Sequence, residues 1–151
     1  MSGRRAAIRM TDTEAAAFLS EERTVICATI GRDGWPHLMP LWYVVRAGEL
    51  WSWTYARSQK VRNLERDPRC SLQVEAGIAY DELRGVLLRC EAVVHRDLAT
   101  VEAYAAELAA RYAEGGVTPA HAEAMRAQAP KRVALQFTEV GRVTWDHRKL
   151  G

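Results

Sequence analysis

The chain has 151 residues, of which 48% are hydrophobic and 26% charged, with a formal net charge of +2. That length predicts one domain with a single substantial core, and the composition argues against disorder. The charge is too small to imply a nucleic-acid or anionic-membrane partner, and no apolar run approaches a membrane span. Arg4, Arg5 and Arg9 make the first ten residues basic without the apolar stretch of a signal peptide, so residues 1–10 read as a flexible N-terminal extension. Cys27, Cys70 and Cys90 form no C-x-x-C pair and lie in apolar segments, which fits buried free thiols in a cytoplasmic protein.

In chain order, Thr11-x-x-Glu14 is a capping-box pattern and predicts a helix ending near Phe18 and Leu19. Thr24 to Ile30 is rich in β-branched residues and runs into a turn at Gly31, Asp33 and Gly34. His37 to Val45 reads as the returning strand, with Pro40 marking it as an edge or a bulge. Ala47-Gly48 turns the chain into a third strand, Glu49 to Tyr55, completing an antiparallel meander. A short helix from Ser58 to Glu65 stops at Asp67-Pro68, because a residue before proline resists the helical region.

Cys70 to Val74 is a fourth strand, Glu75 to Arg84 an irregular segment and Gly85 to His95 a long fifth strand. Asp97 caps an amphipathic helix whose stripe is Leu98, Val101, Ala105, Leu108 and Tyr112; Gly115-Gly116 ends it. Thr118-Pro119 starts another short helix through about Gln128. Arg132 to Thr138 and Gly141 to Asp146 finish the chain as strand. Six antiparallel strands with few helices predict a mainly β (α+β) fold, a small closed or split β-barrel, since closure removes exposed edges.

The chemistry that is absent narrows the function. There is no G-x-G-x-x-G, no Walker loop and no G-x-S-x-G elbow. The four histidines are scattered, and no metal site is expected. Such a chain reads as a scaffold for a cofactor that carries the chemistry itself.

Trp53-Thr-Tyr-Ala-Arg-Ser-Gln-Lys60 is the most informative stretch. A strand breaks there into a helix, and a helix start leaves N–H groups unpaired and presents a positive dipole end. Thr54, Arg57, Ser58 and Lys60 around that end make a phosphate site. The plainer alternative is a capping serine among solvated cations. Period-two alternation puts Trp51, Trp53 and Tyr55 on one face of the strand and Leu50, Ser52 and Thr54 on the other. The aromatic face fits a flat ring system, and equally a core or a dimer interface.

The run Ala28 to Trp42, the element Ser58-x-Lys60-x-x-Asn63-Leu64-x-x-Asp67-Pro68 and the closing Trp145-Asp-His-Arg-Lys-Leu150 resemble the split β-barrel flavin- and deazaflavin-dependent oxidoreductases. That superfamily includes pyridoxamine 5'-phosphate oxidase. The resemblance covers nearly the whole chain from Phe18 and implies a six-stranded split barrel of one domain, residues 1–151, and a homodimer with two cofactor sites at the subunit interface. It implies that Trp53, Thr54, Ser58 and Lys60 hold the cofactor phosphate, with Arg57 as an extra cation.

Pyridoxamine phosphate oxidases carry a basic residue beside the lysine and more on the second strand. Gln59 and His37-Leu-Met-Pro-Leu-Trp-Tyr43 stand there instead. Pro40, Leu41 and Trp42 are similar to the strand that backs the ring in actinobacterial enzymes using coenzyme F-420. The implied activity is hydride transfer from reduced coenzyme F-420 to an unsaturated small-molecule substrate. FMN is the alternative cofactor, and a non-catalytic carrier of flavin, deazaflavin or haem the alternative role. No catalytic side chain is identified; His37 is the nearest candidate proton donor.

Overall fold

The computed structural model describes residues 3–151. Its elements are α1 (Arg4–Ala7), α2 (Asp12–Glu21), β1 (Val25–Ile30), β2 (Pro36–Leu41), β3 (Val44–Arg46), β4 (Glu49–Tyr55), α3 (Gln59–Arg66), β5 (Arg69–Ala76), β6 (Arg84–His95), α4 (Leu98–Tyr112), α5 (Pro119–Gln128) and β7 (Arg132–Asp146). All strand pairings are antiparallel, in the order β2-β1-β5-β6-β7-β4-β3.

That order forces the sheet to curl. β2 and β3 lie at its opposite edges, yet only Trp42 and Tyr43 separate them in the chain. Laid flat, seven strands would hold the edges about 29 Å apart. Three Cα steps reach at most about 11 Å. The two edges therefore meet, and the sheet is a barrel split where β2 and β3 fail to pair.

The pleat decides what fills it. Cys27 and Thr29 lie opposite Leu72 and Cys70; Cys70, Leu72 and Val74 lie opposite Cys90, Leu88 and Val86. Leu50, Ser52 and Thr54 of β4 face Phe137, Leu135 and Val133 of β7. Residues directly opposite share a face. These side chains are buried, and with Phe18 and Leu19 of α2 the apolar ones build the main core. All three cysteines are free and buried in it. A second core lies outside the barrel, where Val101, Tyr104, Ala105 and Leu108 of α4 cover Trp53 and Ala134.

Seven strands stand where six were expected, because the expected strand His37 to Val45 divides into β2 and β3. The reason is tertiary. The Tyr43 N–H donates to the Tyr112 hydroxyl of α4 (2.9 Å) instead of to a strand, and its ring is fully buried. The Tyr43 hydroxyl meets the carbonyls of Leu19 and Glu22. The N-terminal segment also departs from expectation. Residues 1–2 lie outside the described residues, but Ile8 to Met10 are fastened and not loose. The Asp146 N–H donates to the Ile8 carbonyl (2.7 Å), the Met10 N–H to Thr144 Oγ1 (3.0 Å), and Met10 is buried in the main core.

Other elements fall close to where the pattern puts them. Thr11 and Glu14 close a reciprocal capping box on α2. Ala47 and Gly48 both take positive φ in the turn between β3 and β4, the conformation a two-residue hairpin needs. In β7 the partner of β6 jumps from Gly141 at Arg89 to Glu139 at Cys90, so Val140 is an extra, bulged residue in one continuous strand. Among the described residues no helix is long and apolar enough to cross a membrane.

Candidate functional site

β4 leaves the sheet at Tyr55, and the chain turns back at once. The Ser58 N–H donates to the Tyr55 carbonyl (3.0 Å), and the Ala56 N–H to the carbonyl of Lys131 (2.9 Å). Ser58 occupies the N-cap of α3 in an extended conformation, but its hydroxyl makes no capping bond. It lies 3.5 Å from Thr54 Oγ1, on the seam side of β4. Lys60, in the first turn of α3, is only 7% exposed and donates from Nζ to the same Thr54 Oγ1 (2.9 Å).

Asn63 locks α3 in this position. It is fully buried; its Nδ2 donates to Thr29 Oγ1 of β1 (3.0 Å), and its Oδ1 accepts from Gln59 Nε2 (2.9 Å) and from Arg66 (3.1 Å). Arg66 also donates to the Ile30 carbonyl (2.8 Å). The helix is thus sewn to β1 by side chains three residues apart, on the face that Lys60 shares.

Charge is unbalanced here. Arg57, Lys60, Lys131 and Arg132 surround the β4–α3 turn, and among the described residues none of them pairs with a carboxylate. Burial pushes the Lys60 ammonium down from its ordinary value; the nearby Cys27 sulfur offsets part of this, and the Arg132 guanidinium adds a smaller push downward. Arg132 lies over the rings of Tyr55 (3.8 Å) and Trp53 (4.8 Å) and donates to Gln128 Oε1 (2.7 Å), while its Nε is buried without a partner. An ammonium this deep, with one neutral partner and a second cation nearby, is stabilised by an anion. The free Ser58 hydroxyl and the unpaired N–H groups of the helix start add donors to the same place. The residues present fit a phosphate group. Arg57, with Tyr55, Ala56, Pro130 and Lys131, lines an open cavity of about 420 Å3 beside it.

The other expected residues take separate places. Trp53 is 8% exposed, on the opposite face of β4 from Thr54, tilted against Tyr104 under α4. The aromatic face of β4 thus packs on a helix, one of the alternatives its pattern left open. On β2, Leu41 points inward against the main core and Pro40 lies exposed on the other face. Trp42, 53% exposed, caps the end of β2 and stacks on Tyr112 with ring centroids 4.3 Å apart. Its carbonyl accepts from Ser52 Oγ of β4 (2.7 Å), which joins the two groups of expected residues across the seam.

Lys131 and Arg132 were not singled out in the sequence, because they reach the site only through the pairing of Tyr55 with Arg132, more than seventy residues apart. Asn63 carried a signal, its fixed place in the S-x-K-x-x-N-L element, though not its role.

The profile of the family described as pyridoxamine 5'-phosphate oxidase matches residues 11–143. The chain is similar to the structure of a conserved hypothetical protein, Rv2991 from Mycobacterium tuberculosis, with 40% identity, a TM-score of 0.90, and coverage of 99% of this chain and 92% of that one. An F-420 reductase is similar in fold at 22% identity and a TM-score of 0.63, over 83% of this chain and 93% of its own. So is HutZ, a haem storage protein from Vibrio cholerae, at 16% identity and 0.70, over 89% and 96%. No curated protein matches the chain. The profile spans α2 to β7, including the split edge and the Lys60 turn, and on that extent of agreement the chain belongs to the pyridoxamine 5'-phosphate oxidase family.

Proposed function

We propose that this protein is an oxidoreductase that binds reduced coenzyme F-420 along the seam between β2 and β4, at the interface of a homodimer. One observation carries the reading: the buried Lys60 ammonium, bonded only to Thr54 Oγ1 and surrounded by cations that no carboxylate balances. Lys60, Ser58, Thr54 and Arg57 hold the phosphate. The backbone of β2 at Pro40, Leu41 and Trp42 backs the ring, and Trp53 fixes the path of β4 from behind through its packing on α4. Bound there, the cofactor supplies hydride to an unsaturated organic substrate. The chain supplies position and the exclusion of water, with no protein nucleophile.

Two further features support parts of the reading. β2 carries no Arg or Lys, and Gln59 replaces the basic residue beside the lysine, which favours the deazaflavin over FMN. Trp35, Leu38, Met39 and Trp42 expose apolar surface along this edge, the kind of patch a second subunit covers.

The test is titration of the protein with coenzyme F-420 and, separately, FMN, following quenching of the five tryptophans. Tight coenzyme F-420 binding with weak FMN binding is expected. Lys60→Ala is expected to weaken the binding by about 10- to 100-fold, the range for a hydrogen bond to a charged group, with the fold retained. Preference for FMN would move the protein to flavin chemistry, and unchanged affinity in Lys60→Ala would remove the anion site. Faster oxidation of the bound reduced cofactor on adding an enone or quinone separates an enzyme from a carrier.

A further inference from the structure

Tyr112 is the last residue of α4, and its side chain goes to the corner between β2 and β3. Its hydroxyl accepts the Tyr43 N–H (2.9 Å) and shares its proton between the carbonyls of Arg23 (2.6 Å) and Tyr43 (3.0 Å). One side chain thus serves both backbone groups of Tyr43, as a neighbouring strand would. The Tyr112 ring stacks on Trp42 with the planes 9° apart. Core packing alone does not require this. Tyr112 only borders the cluster that Val101, Ala105 and Leu108 fill.

The corner closes one end of the seam. The Trp42 carbonyl accepts from Ser52 Oγ, and Lys60 donates to Thr54 Oγ1. Corner and anion turn are therefore tied to successive residues on one face of β4, about 7 Å apart along the strand. The helix α4 braces that strand too: the Tyr104 hydroxyl donates to the Trp51 carbonyl (3.1 Å), and its ring is tilted against Trp53. Both walls of the seam, β4 and the end of β2, thus take their positions from one helix. Tyr112 is its contact with the β2 wall.

We infer that Tyr112 is a positioning residue for the cofactor ring. Its hydroxyl and its stacked ring hold the Trp42–Tyr43 corner, and with it the backbone that backs the ring, in a fixed place relative to the Lys60 turn. The inference rests on the reading of the seam as the cofactor site and adds the residue that sets its spacing. Without the hydroxyl, the Tyr43 N–H and carbonyl lose their partner, and the corner moves to regain one. A displacement of about 1 Å there misplaces the ring while leaving the phosphate anchors untouched.

The experiment compares Tyr112→Phe, which keeps the stack and removes the hydroxyl, with Lys60→Ala and with Leu108→Ala, a core truncation one turn earlier in α4. Each is titrated with coenzyme F-420 and FMN, reading the affinity and, at saturation, the position of the ring's absorption band. For the cofactor that the wild type binds, Tyr112→Phe is expected to lose about tenfold in affinity and to move the band of the bound ring. Lys60→Ala should lose affinity with the band in its wild-type position. Leu108→Ala should change affinity less than about twofold and leave the band in place. One check needs no variant: in wild-type NMR spectra the Tyr43 N–H and Tyr112 ring signals should shift with the cofactor and stay in place with inorganic phosphate alone. Wild-type affinity or an unmoved band in Tyr112→Phe, equal losses in Leu108→Ala, or unmoved Tyr112 signals would overturn the Tyr112 assignment, while a loss in Lys60→Ala keeps the anion site. A wild type that binds neither cofactor would overturn the seam reading with it.

Discussion

The two faces of β4 do opposite work. On one, Trp51 and Trp53 lie beneath α4, where Val101, Tyr104, Ala105 and Leu108 close an apolar cluster and Arg46 lies over the Trp51 ring (4.6 Å). On the other, Leu50 joins the barrel core, and the row then turns polar through Ser52 and Thr54 toward Lys60. The first face is satisfied by the chain itself. The second ends in an ammonium with one neutral partner and a serine at a helix start that caps nothing. A strand braced on one face can hold polar groups rigidly on the other, and the incomplete face is where a ligand belongs.

Leu108→Ala breaks the contrast from the braced side. Leu108 is 1% exposed in the α4 cluster, and the truncation is expected to cost about 2–5 kcal/mol in a denaturant melt. Cofactor affinity, measured at a temperature where the variant is folded, should change less than about twofold, since Leu108 touches only the apolar side of the sheet. A large loss of affinity would mean that the two faces are coupled.

Lys60→Met attacks the other side and should move stability the opposite way. Without ligand the buried ammonium has no carboxylate to balance it, so an apolar side chain of similar length is expected to raise stability by about 1 kcal/mol while weakening the cofactor. The pH dependence has a definite sign. Burial lowers the folded-state value below the ordinary lysine value of 10.5. Between those two values the unfolded chain binds more protons than the folded one, so the Lys60 contribution favours folding increasingly as pH rises through that window. The stability difference between Lys60→Met and wild type should therefore shrink from neutral pH toward pH 10.5, and a difference that widens instead would contradict the burial of an uncompensated cation.

Much of this arrangement was legible in the sequence, for local reasons. Period-two alternation separated Trp53 from Thr54 correctly, the Thr11–Glu14 box and Thr118-Pro119 marked helix starts, and Ser58 to Lys60 identified the polar turn. What stayed hidden depends on partners far along the chain. The break at Tyr43 needs the Tyr112 hydroxyl, the docking of Ile8 to Met10 needs Thr144 and Asp146, and the cations Lys131 and Arg132 join the site through strand pairing. The covering of the aromatic face by α4 was likewise undecidable, because a tryptophan row is equally suited to a ring, a core or an interface.

Ser58→Ala has the smallest expected effect on stability and separates the two readings of the helix start most cleanly. An N-cap serine that bonds its helix is worth about 1 kcal/mol. Here the Ser58 hydroxyl makes no such bond, and α3 is held by Asn63 and Arg66 on β1 instead. Stability should therefore fall by less than about 0.5 kcal/mol, while affinity for the phosphorylated cofactor falls by about tenfold. A loss of stability without a loss of affinity would return Ser58 to ordinary capping. The inverse result would make it a ligand of the phosphate, because a hydroxyl whose donor the folded chain leaves free but the complex needs has its partner in the cofactor.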